Sequence, residues 1–185
     1  MYNGNIILLG APGSGKGTLG SVLSEELSYT IISTGDILRK EKESKSEIGN
    51  KINDLIGKGN LVPDDMINKI VEKKIKSLDK YILDGYPRTV PQAKFLENID
   101  EVGLCIYLEI SDETIIKRVT ERGKTSGRED DQNIDIINKR IKQFKEETTP
   151  LIKFYKDRKM LSSIDGELSK NDVFKQVLDI LSLWK

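Results

Sequence analysis

The chain has 185 residues, 37% of them hydrophobic, a size and composition that bury one sizeable core. Thirty Lys and Arg balance thirty Asp and Glu, so bulk charge supplies no pull toward nucleic acid or an anionic membrane, and any anion binding must come from local clusters. Histidine is absent, which excludes imidazole bases and ligands, and the single cysteine, Cys105, excludes an intrachain disulfide or a multi-cysteine zinc cluster.

The first predicted element is a strand from Asn5 to Leu9, and a helix over 16–27 follows it. A second strand at Thr30 to Ser33 leads into helices over 35–43, 46–57 and 64–78. The third strand, Tyr81 to Asp84, precedes a helix at 90–98; the fourth, Leu104 to Ile110, precedes helices at 112–121 and 135–157. A fifth strand, Leu161 to Asp165, and a helix at 170–183 complete the series. Short runs rich in Ile, Leu, Val and Tyr that alternate with amphipathic stretches predict an open parallel sheet covered by helices. Cys105, in the fourth run, reads as a core thiol. Asp64 after Pro63, Asp112 and Asn171 read as helix caps, and Pro150 as an interruption of the long helix at its preceding turn. The glycine-bearing polar segment Gly123 to Gln132 reads as a surface loop and a lid candidate. Apolar stretches such as Ile6 to Leu9 and Leu104 to Leu108 fall far short of the ~20 residues that span a bilayer. With no positively charged region or cleavage pattern in Met1 to Asn5, a soluble cytoplasmic protein is expected.

Gly10-Ala11-Pro12-Gly13-Ser14-Gly15-Lys16-Gly17-Thr18 follows the first strand and opens the first helix, the setting a phosphate-binding loop requires. Its glycines let backbone amides approach phosphate oxygens, the helix start adds a favourable dipole, and Lys16 reaches the β- and γ-phosphates. A hydroxyl residue usually follows the lysine directly. Here Gly17 intervenes, and Thr18 is the hydroxyl nearest a Mg²⁺.

The Gly-Lys-Gly-Thr ending resembles the adenylate kinase branch of the nucleoside monophosphate kinases, and further motifs match that family in order over nearly the whole chain. The resemblance implies a P-loop three-layer α/β/α fold with a five-stranded parallel sheet, a helical AMP-binding flap at about 36–65 and a short lid at about 123–132. The core would comprise 1–35, 66–122 and 133–185. It implies transfer of the γ-phosphoryl of ATP to AMP, giving two ADP, with Gly13, Ser14, Gly15, Lys16, Gly17 and Thr18 on the donor phosphates. In Ser33-Thr34-Gly35-Asp36-Ile37-Leu38-Arg39 it places Thr34 and Gly35 near the AMP adenine and Arg39 on the AMP phosphate; Asp36 reads equally as a helix or turn cap. In Asp84-Gly85-Tyr86-Pro87-Arg88-Thr89, followed by Gln92, it places Gly85 beside AMP, Arg88 on the AMP phosphate and Gln92 on the adenine edge. The backbone of Asn60, Leu61 and Val62 would line the adenine pocket. Guanidinium forks suit phosphate, and an amide both donates to and accepts from adenine.

Arg118, Arg122, Arg128 and Arg140 match the arginines that in the family surround the moving phosphoryl group, Arg118 and Arg122 on the ATP side and Arg128 and Arg140 also toward AMP. Charge spreads over the transferred oxygens, so fixed guanidiniums with Mg²⁺ stabilise the transition state without a protein base. Asp84 would hold Mg²⁺ through water, and Gly166, in Asp165-Gly166 after the last strand, would lie near the donor base. Leu19 stands where the family usually has glutamine, and is expected to pack. The lid lacks the four metal ligands of long-lid relatives, so no structural zinc is expected. The spacing from Arg128 to Arg140 is one residue longer than expected. The helical face of Ile137, Ile141 and Phe144 puts the extra residue in 133–135 and favours Arg140 over Lys139. Gly123 and Gly127 are hinge candidates. A UMP/CMP kinase, which typically has Ala at Thr34 and Asn at Thr89, and a catalytically silent nucleotide-binding scaffold are the alternatives, and ATP against GTP as donor stays open. No nucleic-acid or membrane partner is expected, and a monomer is.

Overall fold

A computed structural model of the chain describes residues 2–43, 52–56, 58, 60–126 and 128–184. The apolar runs become β1 (Asn5–Gly10), β2 (Thr30–Ser33), β3 (Tyr81–Asp84), β4 (Val102–Glu109) and β5 (Leu161–Asp165), all parallel, in the order β2-β3-β1-β4-β5. Register places Ile7 of β1 beside Leu83 on one side and Cys105 on the other. β4 begins at Val102, ahead of the expected Leu104, because Val102 pairs with Asn5 at the sheet's amino edge.

Alternating side chains of the strands leave by opposite faces. Ile7, Leu9, Leu83 and Cys105 enter a core shared with α3 (Asp64–Ile75), α4 (Val90–Ile99) and α7 (Thr149–Asp157). Ile6, Leu8, Ile82, Leu104 and Ile106 pack on α1 (Lys16–Leu27) and α8 (Lys170–Leu183). The result is a three-layer α/β/α sandwich. Helix α3 shows how sequence spacing becomes burial: Ile67, Val71 and Ile75 sit four residues apart, on one stripe, and are 5%, 0% and 4% exposed. Each contributes about 1.5–3 kcal/mol through burial. Cys105 is wholly buried, which pushes its thiol pKa up and leaves it a core residue.

A smaller cluster, Ala11, Ile115, Val119, Ile137 and Ile141 with Phe144 against it, joins α5 (Asp112–Thr125) to α6 (Ile134–Gln143). The expected helix over 135–157 is broken by a π-helical turn, Phe144–Thr148, and resumes as α7 with Pro150 in its first turn. A proline has no N–H to continue the preceding ladder and fits a first turn, so the interruption falls where the sequence placed it.

Three cap assignments shift. The capping side chain of α5 is Ser111, which accepts the Thr114 N–H, and that of α8 is Ser169, which accepts the Asp172 N–H. Asp112 and Asn171 are already helical, as is Asp64, which follows a Pro63 cap position without a side-chain bond. The segment 123–132 is also not one loop: α5 continues to Thr125 and a 3-10 turn covers Glu129–Asp131. Gly123 is buried within α5, and a Cβ there would stand 2.6 Å from the carbonyl oxygen of Asp131. Close packing against that turn gives the glycine a structural reason of its own beside the hinge expected of it. Gly127 lies outside the described residues, as does the expected helix 46–57 apart from 52–56, which are helical. Helix α2 (Thr34–Glu43) follows β2 without a break.

Candidate functional site

The carboxyl ends of β1 and β3 open on a cleft of about 610 Å³. It lies where the strand order reverses around β1, the usual place for a ligand in an open α/β sheet. Lys16, Arg39, Arg88, Arg118, Arg122, Arg128 and Arg140 line it, against Asp36, Asp84 and Asp130. A chain of zero net charge has therefore gathered all its arginines but Arg158 in one concavity.

Between β1 and α1 the loop wraps the mouth of the cleft. Gly15 caps α1 with φ 98°, a left-handed conformation that a Cβ would strain, and no side chain caps the helix. The amide donors of the first turn are thus left for an anion. Gly13, Gly15, Lys16, Gly17 and Thr18 face the cleft, whereas Ser14 is turned inward at 1% exposed and supports the loop from behind. The Lys16 ammonium donates to Gly10 O at 2.7 Å, Ala11 O at 2.9 Å and Ser14 Oγ at 3.2 Å. Burial lowers its pKa to about 8; the charge of Asp84 opposes this, and those of Arg88, Arg122 and Arg140 reinforce it. Leu19 is 4% exposed in the core with Leu8 and Leu23, off the cleft, as its apolar character requires.

On the opposite wall stand Thr34, Gly35, Asp36 and Arg39 of α2, and Asn60, Leu61 and Val62 before α3. The Thr34 hydroxyl, nearly unexposed, donates to Gly85 O at 2.9 Å and so ties α2 to the end of β3. Arg88 Nε donates to the same carbonyl, also at 2.9 Å. Burial, followed by the Arg140 charge, lowers the Arg88 guanidinium pKa to about 10, with Asp84 opposing. The backbone carbonyl of Arg88 in turn accepts the Thr148 hydroxyl at 2.9 Å. Gln92 is brought to the wall, but both ends of its amide are engaged: Oε1 accepts the Arg88 N–H and Nε2 donates to Asp64.

The arginines of α5 and α6 converge through acids that sequence reasoning did not assign. Asp131, 0% exposed, accepts Arg122 Nε at 2.6 Å and Nη2 at 3.0 Å, and Arg140 Nη1 at 2.7 Å. Arg140 also reaches Asp130 at 2.8 Å. Burial alone would raise the Asp131 pKa, but bonding to Arg122 and the charges of Arg122 and Arg140 hold the carboxyl below its ordinary 3.8. The available signal was the adjacency of Asp130 and Asp131 to Arg128. Arg128 lies 3.7 Å from Asp36, which also pairs with Arg39, so one carboxylate joins α2 to the stretch between α5 and the 3-10 turn. Burial and the charges of Arg39 and Arg122 lower the Arg128 pKa. Arg118 Nη1 donates to Gly166 O at 2.8 Å, which joins one of the arginines expected around the phosphoryl group to the residue expected near the donor base, although Gly166 is not on the cleft wall. Lys139 is exposed and Arg140 lines the cleft, in keeping with the choice between them.

The residues also fit a hydrated divalent cation beside bound phosphates. Asp84 presents Oδ2 3.6 Å from where a Cβ on Gly17 would lie, which puts a carboxylate at the start of α1, and the exposed Thr18 lines the same cleft. Mg²⁺ is typically held by one or two such groups plus phosphate and water. Among the described residues no cluster of three or more metal-ligating acids, cysteines or histidines occurs.

Residues 8–160 match the family model described as adenylate kinase. The adenylate kinase of Thermosipho melanesiensis is 36% identical over 212 aligned residues, covering 96% of this chain and 99% of its own. That of Encephalitozoon cuniculi is 38% identical over 177 residues (96% and 97% covered), and that of Flavobacterium psychrophilum 36% over 186 (96% and 98%).

Proposed function

Because the chain belongs to the adenylate kinase family and moves the γ-phosphoryl of ATP onto AMP to give two ADP, we propose how this cleft divides the work. The observation that carries the reading is the ring of cations from three parts of the chain, Lys16, Arg88, and the Arg122–Arg140 pair held by Asp131, around one cavity. Amides of residues 13–18 bind the donor phosphates, and the Lys16 ammonium exchanges its loop carbonyls for phosphate oxygens. Arg118 and the Gly166 backbone flank the donor base. Arg39 and Arg88 hold the AMP phosphate; Thr34, Gly35, Gly85, Gln92 and the backbone of Asn60, Leu61 and Val62 surround its base.

Arg122, Arg128 and Arg140 then face the oxygens of the group in flight. The acceptor phosphate needs no protein base, so the chain's contribution is alignment, charge and exclusion of water. Asp130 and Asp131 keep the Arg122 and Arg140 forks aimed. Thr18, directly or through water, and Asp84, through water, would hold Mg²⁺, which would supply neutralising charge for the donor phosphates. The flap, about 36–65, and the short lid, about 123–132, close over the two nucleotides. Closure protects ATP from hydrolysis. A monomer in the cytoplasm is the setting proposed. Among the described residues no helix is long and apolar enough to cross a membrane.

The test is phosphoryl transfer from ATP with Mg²⁺ to AMP, CMP, UMP and GMP in parallel, with Lys16→Ala and Arg88→Ala. AMP is the preferred acceptor, and each variant loses about 10³-fold in kcat/KM, the scale of an arginine acting on a phosphoryl group. Full activity of Arg88→Ala on AMP would remove that residue from the site.

A further inference from the structure

Gln92 carries one amide, and its two ends meet partners of opposite chemistry. Oε1 accepts the backbone N–H of Arg88 at 2.7 Å, and Nε2 donates to Asp64 Oδ1 at 2.6 Å. A peptide N–H only donates and a carboxylate only accepts. Turning the amide over would set donor against donor and oxygen against oxygen, so its orientation is dictated by these neighbours. Asp64 is itself held in place: its Oδ2 accepts the Thr89 hydroxyl at 3.1 Å, while Thr89 Oγ accepts the Gln92 backbone N–H at 3.3 Å.

Gln92 is 2% exposed, yet it lies on the cleft wall with Thr34 and Arg88. With both internal bonds made, its amide retains one N–H and one oxygen lone pair. A 6-aminopurine offers a donating amine beside an accepting ring nitrogen; a 6-oxopurine offers an accepting oxygen beside a donating N–H. One amide orientation matches the first edge, and the reversed orientation matches the second. We propose that Asp64 is a positioning residue for base specificity: by fixing the Gln92 amide it selects a 6-aminopurine over a 6-oxopurine acceptor, an inference that rests on Gln92 facing the acceptor base.

The experiment compares kcat/KM for AMP and for inosine monophosphate, which differ at that edge alone, with ATP and Mg²⁺ held constant. In Asp64→Ala the AMP-to-IMP ratio falls about tenfold or more, the weight of a hydrogen bond to a charged group, while KM for ATP stays unchanged. Equal loss on both acceptors would make Asp64 a merely structural residue and overturn the proposal. Thr89→Ala frees one oxygen of Asp64 and lowers the ratio by a smaller factor; should Asp64→Ala not fold, an unchanged ratio in Thr89→Ala overturns the proposal instead. Gln92→Ala separates the premise from the inference. If it leaves the ratio unmoved, the base is read elsewhere and the premise fails. If it lowers the ratio and Asp64→Ala does not, the premise stands and the lock is wrong.

Discussion

Replacing Asp131 with asparagine removes one negative charge and little volume from the point where two arginines meet. The carboxylate is 0% exposed and accepts three hydrogen bonds, two from Arg122 and one from Arg140. Bonds to charged groups contribute about 1.5–3 kcal/mol each. The guanidiniums keep 32% and 21% of their side-chain surface, and Arg140 retains Asp130, so water and a second acid recover part of the loss. About 3 kcal/mol, the low end for breaking a buried pair, is the expected cost of Asp131→Asn at pH 7. For a chain of this length that lowers Tm by roughly 6–12 °C. Thermal unfolding followed by circular dichroism measures it. Because folding lowers the carboxyl below its ordinary 3.8, its stabilisation is present above that pH and is lost as pH falls through the lower folded value. Wild type and variant therefore converge in strong acid. A Tm change under about 2 °C at pH 7, or a gap that persists in strong acid, would refute the claim that Asp131 carries the cluster.

The free enzyme's Lys16 titrates near 8, and only its ammonium attracts phosphate, so kcat/KM for ATP declines above about pH 8. Lys16→Arg abolishes that decline, and a limb that survives in it belongs to another group. Folding lowers this lysine from 10.5 to about 8, so its contribution to stability rises with pH between those values, which chemical denaturation at pH 8 and 10 detects against Lys16→Met. Gly123→Ala sets two effects against each other: alanine favours a helix by about 1 kcal/mol, but its Cβ meets backbone atoms of Asp131 at 2.6 and 2.8 Å. Overpacking against backbone costs about 1–3 kcal/mol, so the melting temperature falls, and a rise would show that the turn yields easily.

Strand positions were legible because buried parallel strands leave uninterrupted apolar runs; Tyr81–Asp84 and Leu161–Asp165 fall as expected. Caps were less legible, since Ser111-Asp112 and Ser169-Lys170-Asn171 each offer neighbouring residues of capping type, and only backbone angles choose between them. The phosphate loop could be picked out from residue type and spacing, and the arginines from the family resemblance; the fold brings both to one cleft. Asp130, Asp131, Asp64 and Thr148 could not, since each acts through a partner distant in sequence: Asp64 on Gln92, Thr148 on the Arg88 carbonyl, and the acid pair on Arg122 and Arg140. The packing of Gly123 was hidden for a related reason. A glycine in a polar stretch suggests a pivot, and only the fold reveals the backbone packed against it.

The wide turn at Phe144–Thr148 has a mechanical consequence. An α-helix presents the same face every 3.6 residues, so one unbroken helix over 134–157 would keep a single stripe buried. An i→i+5 turn shifts that phase. Before it, Ile137 and Ile141 are bedded against α5; after it, Leu151, Phe154 and Tyr155 are bedded against the sheet. The rod thus has two differently bedded arms, one carrying Arg140 against α5 and the other anchored in the main core, and Thr148 within the turn donates to the Arg88 carbonyl beyond the end of β3.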